Sequence, residues 1–167
     1  ASDAVFCALP HKASAPIVAE LSSKGVVVFD LSADFRLREL SVYEQWYGPH
    51  AVPERFGSAA YGLVELGREA FREASIVAVP GCYPTAATLS LAPLIKGGLV
   101  RPEGIVVDAK SGVSGAGRSP GPATHLPESA EGIRAYKVAS HRHTPEIEQE
   151  LSRLADQEIR ILFVPHL

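Results

Sequence analysis

"DAVFCALPHKASAPIVAELSSKGVVVFDLS", residues 3–32, is the stretch whose periodicity decides the fold class. Residues 3–10 form a short apolar run closed by proline, the composition of a buried strand. From 14 to 25 the spacing turns helical: Ser14 is a candidate N-cap, Pro16 falls in the first turn, and Gly25 ends the segment. "VVVFDLS" (26–32) is a second buried run, rich in β-branched residues. Strand, helix and strand of these lengths predict a right-handed parallel crossover unit, and so an α/β protein.

Further along, "SIVAVP" (75–80), "GIVVDAKSG" (104–112) and "IRILFVPHL" (159–167) read as strands, the last one buried and breaking off at a Pro-His. "IRAYKVAS" (133–140) is strand-like, and 52–62 is mostly connection. Helices are predicted over 41–50, 68–74, 84–98 and 144–157. The third is apolar nearly all round and is expected to be buried, with Pro93 removing a hydrogen bond and bending it. In the fourth, Thr144 is the expected cap, Pro145 takes the first helical position, and Ile147, Leu151, Leu154 and Ala155 share a face. Residues 111–129, dense in Gly, Ser and Pro, could pass for a linker.

Composition narrows the classes. A chain of 167 residues, 46% hydrophobic and 21% charged, can bury a core. A net charge of −3, a pI near 6.1 and no basic cluster give no case for nucleic acid. No apolar run approaches the roughly 18–20 residues of a membrane-spanning helix. The N-terminus lacks the basic start of a signal peptide, and Met is absent throughout, so the chain is expected to be a piece of a longer polypeptide. Two cysteines, Cys7 and Cys82, make neither a disulfide framework nor a CxxC metal site. Free thiols in a reducing, cytoplasmic compartment and no metal are the expectation.

The chemistry gathers at "VPGCYPTAATLSLAPLI" (79–95), where a thiol stands between a strand end and a helix start. Unpaired N–H groups and the positive end of the helix dipole favour a thiolate there. Gly81 can take backbone angles that strain other residues. Cys82 is therefore a candidate nucleophile, with a small buried hydrophobe as the bland alternative; Cys7, inside an apolar strand, is read as the latter. A nucleophilic thiol needs a proton partner. In "SHRHTPEIEQEL" (140–151), alternation would turn His141 and His143 to one side and Arg142 to the other. His11, after the first strand, and "DLSADFRL" (30–37), after the second, lie at the edge where α/β sheets bind ligands. A turn with a surface ion pair is the plainer reading of 30–37. "SGVSGAGR" (111–118) has small residues that let backbone N–H groups approach a phosphate, with Arg118 as counter-charge; a flexible linker fits it equally.

"ALPH" (8–11), "DLSADFRL" (30–37), "YGLVEL" (61–66), "PGCYPTAATLSLAPL" (80–94), "KSGVSGAGR" (110–118) and "HRHTPEIEQEL" (141–151) follow in order over nearly the whole chain. Together they resemble the N-acetyl-γ-glutamyl-phosphate reductases of arginine biosynthesis, and more distantly the aspartate-β-semialdehyde dehydrogenases. The resemblance implies an NADPH-dependent reductase of an acyl phosphate. Cys82 would form a thioester that hydride reduces to a semialdehyde. The acid/base histidine would lie in "HRH", His141 being favoured and His143 the other candidate or a substrate contact. Ser114, Gly115 and Gly117 would lie against NADP, with His11 assigned to the same cofactor. Arg36 would lie near the substrate, and Arg118 and Arg142 would help hold its phosphate.

The same resemblance implies part of a Rossmann-like parallel sheet, residues 1–80, joined to an α+β catalytic domain over 81–167, in a homo-oligomer. The family's first strand and glycine-rich dinucleotide loop have no counterpart before Ala1, and the family continues beyond "VPHL". The chain alone is thus expected to be inactive. Reduction of an aminoadipyl or aspartyl phosphate is the near alternative, and a cofactor-free cysteine acyltransferase or hydrolase the distant one.

Overall fold

Residues 2–167 are described by a computed structural model. β1 (Ala4–Cys7), α1 (Ser14–Ser23) and β2 (Val27–Asp30) make the predicted crossover unit, with β1 and β2 parallel and Val5 opposite Val28. Gly25 closes the unit at φ +81°, a backbone angle that favours glycine. After α2 (Leu40–Tyr47) come β3 (Ala60–Tyr61), α3 (Val64–Gly67) and β4 (Ile76–Ala78). The four strands form one all-parallel sheet in the order β1-β2-β4-β3. β4 has a partner on either side, which is why Ile76, Val77 and Ala78 are all buried and carry no polar alternation.

The second half holds α4 (Cys82–Lys96), β5 (Ile105–Lys110), α5 (Leu126–Ser129), α6 (Thr144–Ala155) and β6 (Ile161–His166). β5 and β6 pair in parallel, in register from Ile105–Ile161 to Lys110–His166. Ile147 and Leu151 of α6, Ile159 and Phe163 are buried with Ala87 of α4 in one cluster, so the start of α4 and the start of α6 are held in the same packing layer.

Several expectations change. Ser14 does not cap α1; its hydroxyl donates to Asp30 at 2.6 Å, and the amides of Lys12 and Ala15 bond the carboxylate of Asp34 instead. Residues 30–37 are thus no surface turn. Asp30, Ser32 and Asp34 are buried, and Asp34 also accepts from Tyr43 Oη at 2.8 Å. Nor does Thr144 cap α6: the N-cap is His143, and Thr144 Oγ1 is buried without a partner among the described residues. α4 starts at Cys82 and buries only Pro84, Ala87, Thr88 and Ala92, its outer side remaining open. Residues 133–140 form no strand, only a bridge from Ala135 to His166, because Lys137 and Ala139 adopt positive φ and turn the chain away. The 111–129 stretch contains two 3-10 turns, Val113–Ala116 and Pro122–Thr124, besides α5. β6 alternates in burial rather than being wholly enclosed, and it continues through Pro165. β3 lies in the stretch read as connection; two residues show no period.

Candidate active site

Cys82 is the first residue of α4 and is exposed, with Gly81 as N-cap in extended conformation. The glycine is needed for space and not for its angles. A Cβ there would lie 2.7 Å from His143 Nε2 and 3.0 Å from Pro84 Cδ, so His143 packs against the residue preceding the sulfur. The dipole and free N–H groups of a fifteen-residue helix converge on that turn. No hydrogen bond ties Cys82 Sγ to either imidazole among the described residues, which leaves the sulfur free to meet an electrophile.

The imidazoles of His141 and His143 lie 4.9 Å apart and both meet the Tyr83 ring edge-on, while Arg142 turns away to sit 5.4 Å over the ring of Tyr47. The two imidazoles share a side and Arg142 takes the other, but on a turn and not on the extended segment expected. Thr144 N–H donates to His141 O at 3.0 Å, and His143 is in helical conformation. The two histidines differ in their bonds. His141 Nδ1 accepts from the backbone N–H of His143 at 3.1 Å, which puts the proton of the neutral ring on Nε2. His143 Nδ1 is buried without a partner among the described residues, and its Nε2 faces Gly81. Burial, then neighbouring His141, Arg36 and His11, pull the His143 pKa down to about 3. Burial, then Lys137 and Arg142, bring His141 to about 4. Both rings are therefore neutral near pH 7.

His11 stands at the same mouth. Its Nδ1 accepts from Ala33 N–H at 3.0 Å and its ring meets Tyr47 at 5.5 Å; burial and the charge of Arg36 lower its pKa. Arg36 is nearly enclosed and its guanidinium is committed within the protein: to Val79 O at 2.7 Å, to Leu31 O at 2.6 Å, and to Glu146 at 3.5 Å. Ser114, Gly115, Gly117 and Arg118 are not brought to this cluster. They occupy an exposed loop beyond β5, where Gly117 turns at φ +85° and a Cβ on Gly115 would strike Ser111 Oγ at 2.5 Å. Within that loop the N–H groups of Gly115 and Gly117 already donate to Gly112 O at 2.9 Å and Ser114 O at 3.3 Å.

Four residues of the cluster escaped the sequence reading. Tyr83 is the aromatic floor of both histidines, and its hydroxyl meets that of Tyr136 at 3.1 Å. Burial and the interaction with Tyr83 push the Tyr136 phenol up. Tyr47 seats Arg142 and also donates to its carbonyl at 3.3 Å. Glu146 accepts from Gly81 N–H and Tyr61. Only Glu146 carried a signal, as the acidic residue three beyond His143 at a helix start.

Residues 1–74 match the family model of the semialdehyde dehydrogenase NAD binding domain, and 82–167 that of the semialdehyde dehydrogenase dimerisation domain. N-acetyl-gamma-glutamyl-phosphate reductase of Magnetococcus marinus is 53% identical over 100% of this chain and 48% of its own length. The probable chloroplastic N-acetyl-gamma-glutamyl-phosphate reductase of Arabidopsis thaliana is 51% identical over 99% of this chain and 41% of its own. The chain spans about half the length of the curated relatives it matches. In fold it is similar to aspartate semialdehyde dehydrogenase II from Vibrio cholerae, with a TM-score of 0.62 at 16% identity, covering 98% of this chain and 50% of that one. No helix among the described residues is long and apolar enough to cross a membrane. With both halves matched in sequence order, the chain belongs to the semialdehyde dehydrogenase family.

Proposed function

We propose that the chain carries the nucleophile and proton carrier of an NADPH-dependent reductase that converts N-acetyl-γ-glutamyl phosphate to the semialdehyde. The observation that carries this reading is the exposed Cys82 at the start of α4, with His143 packed against the preceding residue. About 52% identity to reductases of that name supports the substrate. His143, rather than His141, is the imidazole assigned to the proton, because His141 Nδ1 is occupied and its Nε2 already protonated.

The thiol proton passes to the neutral imidazole as Cys82 Sγ attacks the γ-carbonyl carbon. The carbon–oxygen bond to phosphate breaks, phosphate leaves with that proton, and a thioester remains on Cys82. Free N–H groups at the start of α4 stabilise the oxyanion of each tetrahedral stage. Arg142, held over Tyr47, and His11 offer positive charge and an N–H donor to the departing phosphate. Bound NADPH supplies the hydride that reduces the thioester carbon. Collapse then breaks the carbon–sulfur bond, releases the semialdehyde and leaves a Cys82 thiolate, which takes up a proton from solvent through the imidazole to restore the thiol. Ser114, Gly115 and Gly117, on an exposed loop beyond β5, are the residues here that would hold the cofactor's anionic part, with Arg118 beside them. Dinucleotide and catalytic parts are divided at 80/81, in the turn before Cys82. A homo-oligomer fits the dimerisation-domain match, and a cytoplasmic site fits two free thiols.

The test is the phosphate-dependent reverse reaction of the full-length protein with the semialdehyde, followed by nicotinamide absorbance with NADP and with NAD. Reduction of NADP by the parent and none by Cys82→Ser is the expected result. Turnover retained by Cys82→Ser would remove the covalent mechanism.

A further inference from the structure

Behind the Cys82 turn lies a carboxylate that the chemistry above does not use. Glu146, in the first turn of α6, is 1% exposed. Its Oε1 accepts from Gly81 N–H at 2.9 Å and from Tyr61 Oη at 2.8 Å, and its Oε2 faces Arg36 Nη1 at 3.5 Å. The partners come from three places: β3, the turn after β4, and the loop after β2. Burying a carboxylate is costly, and bonds of this charge-assisted kind offset the cost only when they are several and well directed. One of them falls on the residue before the nucleophile. The carboxylate itself stands three residues after His143, so a single side chain connects the backbone beside Cys82 to the backbone beside the imidazole.

We propose that Glu146 is a positioning residue: by holding the Gly81 N–H it fixes the turn that starts α4 against the start of α6, and so sets the separation of Cys82 from His143. The bare Cα of Gly81 lets the ring of His143 approach, and the bond to Glu146 keeps it there. The inference rests on the reading of Cys82 as nucleophile and His143 as proton carrier. A buried ion pair that only held the fold together would change how much protein folds, not the rate of each folded molecule.

Glu146→Ala and Glu146→Gln in the full-length protein separate these roles. Rates are taken per folded molecule, together with iodoacetamide alkylation of Cys82 at neutral pH. Loss of position predicts a kcat lowered about 100-fold in Glu146→Ala, with KM within about 3-fold. Glu146→Gln, whose amide oxygen still accepts from Gly81 N–H, is expected to recover most of that loss. Retention of kcat within about 3-fold in Glu146→Ala, or failure of the Gln variant to rescue, overturns the proposal. Should Glu146→Ala not fold, Glu146→Gln decides: alkylation within about 3-fold of the parent supports the role, and a drop beyond about 10-fold refutes it. Full activity of Cys82→Ser would instead sink the reading beneath it, and the two failures are distinguishable.

Discussion

At the scale of single residues the proposed choice between the two histidines rests on where protons already sit. His141 spends its Nδ1 lone pair on the His143 backbone, whereas the Nε2 of His143 is aimed at the turn bearing the sulfur. His143→Asn is therefore expected to slow turnover by about 100- to 10,000-fold, the usual range for a general acid/base, and His141→Asn by less. Initial rates at saturating substrate compare them, and a larger loss in His141→Asn would reverse the assignment. Tyr47 is the second case. Its ring carries Arg142 and its hydroxyl holds the Arg142 carbonyl, so Tyr47→Leu removes both supports and Tyr47→Phe only one. Tyr47 is buried but Arg142 is exposed, and a solvated cation over a ring contributes about 0.5–1 kcal/mol. The KM for phosphate in the reverse reaction is expected to rise about 2- to 5-fold in Tyr47→Leu, with Tyr47→Phe staying nearer the parent. Equal KM values in all three would show that Arg142 does not need its seat.

At the scale of elements, α1 shows a helix start secured by a distant carboxylate. Asp34 takes the amides of Lys12 and Ala15 and the hydroxyl of Tyr43, and it is wholly buried. Asp34→Ala strands these donors, and removing the acceptor from buried donors costs about 1–3 kcal/mol for each group left unsatisfied. Urea unfolding is expected to show an unfolding free energy lowered by about 3 kcal/mol or more, seen as a lower midpoint with an unchanged m-value. A loss below about 1 kcal/mol would mean that water replaces the carboxylate. The same element explains what sequence can and cannot disclose. The crossover unit was legible because its apolar period is local, as was the amphipathic α6 with its buried Ile147 and Leu151. The place of Cys82, between a strand and a helix, was legible from the junction of two periods. The bonds that hold the site together were not, since Gly81 and Glu146 lie 65 residues apart and Arg36 and Glu146 lie 110 apart. Arg36 reads as a free cation in "DFR", and only the folded chain reveals that two carbonyls and a carboxylate already occupy it.

At the scale of the whole molecule, the site is a store of neutral imidazoles among cations, and this couples stability to pH. In the folded protein burial and positive neighbours keep His143 neutral down to about 3 and His141 down to about 4. In the unfolded chain both protonate near the ordinary value of about 6.5. Between those limits the unfolded state binds more protons, so stability rises with pH through the window; the contribution is complete above about 6.5 and is lost as the pH falls toward 4. Glu146 works in the opposite sense, because burial raises its pKa and protonation favours its folded form. The imidazole contribution is therefore read as a difference between proteins. The parent is expected to melt at progressively lower temperature from about pH 7 to about pH 5, and His143→Asn, which cannot take up that proton, to follow a shallower slope. Calorimetry across the window measures both slopes. Parallel slopes would mean that His143 takes up its proton equally in the folded and unfolded states, and that the pocket around Cys82 is wetter than its packing implies.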